Sequence, residues 1–80
     1  MDYPVRTPAQ MQALIKAFRT KAGFTQTSLS KRLGITQQAL SRLERDPQKA
    51  SIDRLLPLLS ALGVSLVLRD QESAGPRAEW

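Results

Sequence analysis

Twenty residues in the first half of the chain, QTSLSKRLGITQQALSRLER from Gln26 to Arg45, leave little freedom of architecture. Apolar residues fall at Leu29 and Leu33, then at Ile35, Leu40 and Leu43, and one glycine, Gly34, separates the two runs. Thr25 and Thr36 stand where helix N-caps belong, each with a hydroxyl able to accept from a free backbone N–H of the first turn. Ser30 is small where two such helices would touch. Two short helices hinged on one glycine at this spacing form a helix-turn-helix motif. The outward positions of the second helix are Thr36, Gln37, Gln38, Ser41, Arg42 and Arg45, a polar set without a carboxylate in which every member can donate a hydrogen bond.

A helix of this kind suits the major groove of double-stranded DNA. A glutamine amide can accept from and donate to adenine at once, and arginine can fork onto guanine. Gln37 and Gln38 are therefore the leading candidates for reading base edges. Thr25, Gln26 and Thr27, at the start of the preceding helix, are expected to face the sugar-phosphate backbone, where helix N-terminal amides add a favourable field. Lys31, Arg45 and Lys49 are candidate phosphate contacts.

Charge supports that placement. The 80-residue chain carries twelve Lys and Arg against seven Asp and Glu. The excess is uneven: residues 6–45 hold eight bases and one acid, Glu44, while residues 46–80 hold four bases and five acids. A basic half of this kind points to a polyanionic partner. A membrane surface would call for basic residues flanking bulky exposed apolar ones, whereas the outward face here is rich in Gln and Ser. No membrane partner is expected, and the chain reads as cytoplasmic.

Chemistry other than binding has little to work with. There is no Cys and no His, so thiol nucleophiles, imidazole acid–base catalysis and zinc clusters are excluded. Ser41 has no activating group at helical spacing. The chain reads as a non-enzyme without cofactor or metal. At this length one core, giving roughly 3–5 kcal/mol, is all that can be built, so association with a second copy is the available reinforcement.

Flanking segments complete an all-α domain. Thr7-Pro8-Ala9-Gln10 has the form of a capping box with proline at the first helical position, and Met11, Leu14, Ile15, Phe18 and Ala22 recur at helical spacing up to Gly23. Asp46-Pro47 ends the third helix. Ser51 caps a fourth, with Ile52, Leu55, Leu56, Leu59 and Leu62 forming a wide apolar face and Gly63 closing it. Pro57 lies inside that helix and predicts a kink or local break. Beyond Gly63 the period changes to two, with Val64, Leu66 and Leu68 on one face and Ser65, Val67 and Arg69 on the other. A lone strand needs a partner, and the same strand of a second copy across a two-fold axis is the expected one, with the sheet of another protein as the alternative. Residues 1–69 thus read as the DNA-binding and dimerisation domain. Residues 70–80, DQESAGPRAEW, read as a flexible tail whose terminal Trp80 suits a partner's pocket.

The stretch GFTQTSLSKRLGITQQALSRLERDP resembles the core of the Xre/Cro-type (lambda-repressor-like) helix-turn-helix proteins, from about Met11 to Gly63. The strand VSLVLRD and the ending AEW resemble those of the HipB-type antitoxins within that family. The resemblance implies four to five helices plus a short C-terminal strand paired across a homodimer. It also implies entry of the third helix into successive major grooves of a palindromic operator, repression of the protein's own operon, and binding of a HipA-type kinase toxin through Glu79 and Trp80. Arg19 and Glu44 match positions that form a buried ion pair in the family. The alternative is a stand-alone phage-type regulator without a toxin, which would share every DNA-facing residue.

Overall fold

The computed structural model describes residues 1–70. Four α-helices follow in order: α1 (Pro8–Lys21), α2 (Gln26–Leu33), α3 (Gln37–Arg45) and, after a 3-10 turn at Pro47–Lys49, α4 (Ile52–Ala61). The first three begin as their caps dictate. The Thr7 hydroxyl accepts from Gln10 N at 3.2 Å and the Gln10 side chain accepts from Thr7 N at 3.2 Å. Thr25 and Ser28 close the same reciprocal box on α2, and Thr36 accepts from Ala39 N at 3.0 Å on α3. Gly34, at φ 71° and ψ 30°, is the left-handed residue that turns the chain between α2 and α3, and Ile35 N closes the turn on Ser30 O at 3.0 Å.

The core consists of Ile15 from α1, Leu29 from α2, Leu40 and Leu43 from α3, and Leu55, Leu58, Leu59 and Leu62 from α4 and its end. Met11, Phe18, Phe24, Leu33, Ile35 and Val64 pack around it. Ala22, expected on the apolar stripe of α1, is instead its exposed C-cap. Buried Ser30 sits at the α2–α3 contact with its hydroxyl donating to Thr27 O at 2.8 Å, so the small residue brings no unsatisfied group inside.

Of the kink or local break expected at Pro57, the break does not occur, and α4 is one helix from Ile52 to Ala61. Pro57 is the sixth residue of the helix and exposed, so the one carbonyl it leaves without a helical donor, that of Asp53, lies near the helix start on the solvent side. The buried stripe is also rotated: Leu58 is fully buried, whereas Ile52 and Leu56 are 54% and 43% exposed. In a helix this rich in leucine several phases are equally apolar, and contact with α2 selects the one centred on Leu55, Leu58, Leu59 and Leu62.

After α4, Val64 N bonds Leu59 O at 2.9 Å and the chain leaves the helix. Residues 64–70 belong to no helix, and no strand forms among the described residues of the single chain. Leu66, Val67 and Leu68 are exposed, Leu68 almost entirely at 96%. The N-terminal residues return to this region: Asp2 pairs with Arg69, and the Tyr3 ring meets Phe18 edge-on at 5.2 Å. The terminal segment that contains Glu79 and Trp80 lies outside the described residues.

Candidate nucleic-acid interface

α3 is sharply two-sided. Leu40, Leu43 and Glu44 are buried, while Thr36, Gln37, Gln38, Arg42 and Arg45 are exposed and Ser41 is half-buried at the boundary. Sequence reasoning placed these six residues on one outward face, and five of them are exposed. Ser41 has less freedom to reach a ligand than the others.

Glu44, the only acid between residues 6 and 45, points inward. Its Oε2 lies 2.9 Å from Arg19 Nε, an ion pair rather than an aligned hydrogen bond. Arg19 Nη1 also donates to Phe24 O at 3.2 Å, so one guanidinium ties α1 to the approach of α2 and to the last turn of α3. The consequence for the surface is electrostatic. The single carboxylate that would oppose an anion is neutralised within the protein, leaving Lys31, Arg32, Arg42 and Arg45 of α2 and α3 uncompensated by any acid of those helices. Arg45 does approach Asp46, just beyond α3, at 3.5 Å, but both side chains are exposed and such a pair contributes little.

The three residues at the start of α2 divide their roles. The Thr25 hydroxyl accepts from Ser28 N at 3.0 Å and donates to Ser28 Oγ at 3.1 Å, so its side chain caps the helix. Gln26, half-buried, directs its amide to Glu44 Oε1 at 3.4 Å, extending the Arg19–Glu44 pair to a third element. Thr27, exposed, donates to Gln37 Oε1 at 3.2 Å. Thr36 uses its oxygen as an acceptor in its cap. Lys49 is exposed on the 3-10 turn just beyond the end of α3. The sequence pattern brought out the residues of this face but not the bonds from Gln26 to Glu44 and from Thr27 to Gln37, which join positions eighteen and ten apart. Nothing local signals them; they depend on the angle between α2 and α3.

The expected dimerisation residues lie away from this face in chain order, after α4. Val64 is half-buried against the core, while Leu66 and Leu68 are exposed. Exposed Ile52 and Leu56 on α4, which sequence reasoning assigned to the core, add to the apolar surface of this half of the chain. Their i, i+4 spacing is the signal that could have marked them as a second stripe.

Comparison with known proteins gives a consistent result. The helix-turn-helix family matches residues 15–68. Over 74 residues the chain is 32% identical to antitoxin HipB of Escherichia coli O6:H1, covering 92% of this chain and 79% of that protein. It is 30% identical to antitoxin HipB of Escherichia coli K12, covering 92% and 84%. Among solved structures, it matches a chain of a HipB–O1–O2 complex with a TM-score of 0.77 at 29% identity, covering 86% of this chain and 100% of that one. A chain of a HipA–HipB–O2–O3 complex gives a TM-score of 0.77 at 28% identity, covering 89% and 100%.

Proposed function

The chain belongs to the HipB antitoxin family of helix-turn-helix proteins, and from that premise we propose that it is a homodimeric repressor of its own operon and the antitoxin of a HipA-type kinase. The observation that carries the DNA-binding part is the outward face of α3: Thr36, Gln37, Gln38, Arg42 and Arg45 exposed together, with Glu44 turned inside against Arg19. In this reading α3 of each protomer enters a major groove, Gln37 and Gln38 read base edges, and Arg42, Arg45 and Lys49 meet phosphates or guanine. Half-sites about 34–36 Å apart, one turn of the duplex, follow if the dimer is two-fold symmetric.

Dimerisation is assigned to Val64, Leu66 and Leu68, paired with the same residues of the second copy. The exposure of Leu66 and Leu68 in the single chain supports this, since a strand left without a ladder presents both its backbone and its apolar side chains. The toxin-binding role assigned to Glu79 and Trp80 rests on the family likeness of the stretch AEW.

Fluorescence anisotropy with duplexes from the region upstream of the protein's own gene tests the DNA-binding part. Gln37→Ala should lose about 1–3 kcal/mol of affinity for the operator and little for unrelated DNA. Equal loss on both would remove base reading. Capture of a protein kinase from the native lysate by the full chain, weakened when the chain ends at Gln71, tests the antitoxin part. Retention of DNA alone by both forms would favour the stand-alone regulator.

A further inference from the structure

The N-terminal arm, residues 2–6, meets the segment that follows α4. Asp2 forms an ion pair with Arg69, and the Tyr3 ring lies edge-on against Phe18, which packs on the same core as Val64. An arm laid parallel to that segment from this contact would run on past Asp70. An antiparallel arm instead returns along residues 64–69 to the start of α1 at Pro8.

With Asp2 opposite Arg69, antiparallel pairing sets Tyr3 against Leu68, Pro4 against Val67 and Val5 against Leu66. Tyr3, Val5, Leu66 and Leu68 then share one face, and all four are exposed in the single chain. Val64 belongs to the same face by alternation and is the residue that turns to the core. Tyr3, which touches Phe18, turns the same way, so both segments agree on which face is inward.

The backbone fits the same register. In an antiparallel pair alternate residues exchange both N–H and C=O with their partners, and the residues between turn theirs outward. Pro4 has no N–H to offer, as an outer strand tolerates, and the N–H of Arg6 is accepted by Gln10 Oε1. Tyr3 and Val5 are the residues left to bond. Their peptide groups, like those of Leu66 and Leu68, make no hydrogen bond among the described residues of the single chain.

In a dimer joined through residues 64–69 each strand uses one edge on its twin and leaves the other open, and a ribbon of two strands is marginal in water. We propose that the N-terminal arm is the outer strand of that ribbon, so that association of two copies builds an antiparallel sheet in the order arm, strand, strand, arm. The inference rests on the reading of Val64, Leu66 and Leu68 as the dimerisation strand.

The test is the dimer dissociation constant of the full chain by sedimentation, with amide hydrogen exchange of the dimer followed by nuclear magnetic resonance. Val5→Pro removes a bonding N–H from each arm and should raise the constant about tenfold. Pro4→Ala, at an outward position, should leave it within about twofold. Asp2→Arg sets like charges opposite each other and should raise it about three- to tenfold, and adding Arg69→Asp should restore it. The Leu66 and Leu68 amides should be protected in the wild-type dimer and lose that protection in Val5→Pro, while Val67, turned to the twin strand, keeps its own. A Val5→Pro dimer as tight as the wild type overturns the proposal, as does equal weakening by Val5→Pro and Pro4→Ala. Failure of Arg69→Asp to rescue Asp2→Arg also overturns it. A lower melting temperature of Val5→Pro under dilution that keeps the chain monomeric would assign Val5 to the protomer's fold and overturn it equally. A wild type that forms no dimer refutes the dimerisation strand itself, and the inference with it.

Discussion

The α2–α3 unit and the segment that follows α4 differ in how far one chain can complete them. In α2–α3 the helix starts are capped by threonines, buried Ser30 is bonded, Glu44 is paired, and the exposed side chains are polar. Residues 64–70 form no ladder, and Leu66, Val67 and Leu68 lie open to solvent. The difference teaches that exposure has two meanings in this molecule. On α3 it leaves hydrogen-bond donors free for a polyanion, and after α4 it leaves apolar surface and backbone to be covered by another polypeptide.

Substitutions can break or sharpen that contrast. The largest effect is expected from Glu44→Ala, which leaves the half-buried Arg19 without its carboxylate partner and should cost about 3–5 kcal/mol. That is comparable to the whole stability of a domain of this size, roughly 3–5 kcal/mol, so circular dichroism should show a largely unfolded chain. A folded Glu44→Ala would mean that α2–α3 does not depend on its internal pair. Next comes Gln37→Ala, with about 1–3 kcal/mol lost on operator DNA and an unchanged melting temperature; a fall in stability would make Gln37 part of the fold. Thr25→Ala should lower stability by about 1 kcal/mol through loss of the α2 cap, measured by urea denaturation. The smallest change in the protomer is expected from Leu66→Arg, within about 0.5 kcal/mol under dilution that keeps the wild type monomeric, while sedimentation at high concentration should show the wild-type dimer lost. A strongly destabilised Leu66→Arg monomer would erase the contrast by making residues 64–70 part of the core.

What could be read in advance follows the range of the interactions. Thr7, Thr25 and Thr36 bond groups three residues away and Gly34 acts through its own torsions, so the starts of α1, α2 and α3 and the turn between the last two were legible in sequence. The outward face of α3 was legible for the same reason, since a nine-residue helix with Leu40 and Leu43 inside has one opposite side. The phase of α4 was not, because Leu56 and Leu58 are chemically equal and only packing distinguishes them. Pro57 does not break the helix because proline's cost depends on where the orphaned carbonyl falls, and near an exposed helix start that cost is small. The Gln26–Glu44 and Thr27–Gln37 bonds span two helices and could be seen only once the angle between them was known.

The position of the Arg19–Glu44 pair also has a mechanical consequence. It grips α3 in its last turn, whereas Gln37 stands at the other end, seven residues and about 10 Å away along the axis. The helix is thus held at both ends, by Arg19 at the rear and, at the front, by the Ile35–Ser30 and Thr27–Gln37 bonds to α2. A tilt of about 10° at the rear displaces the front by about 2 Å, most of the length of a hydrogen bond. On the reading proposed for α3, angular stiffness at a pair that never meets a base would then set how finely Gln37 can tell one base from another.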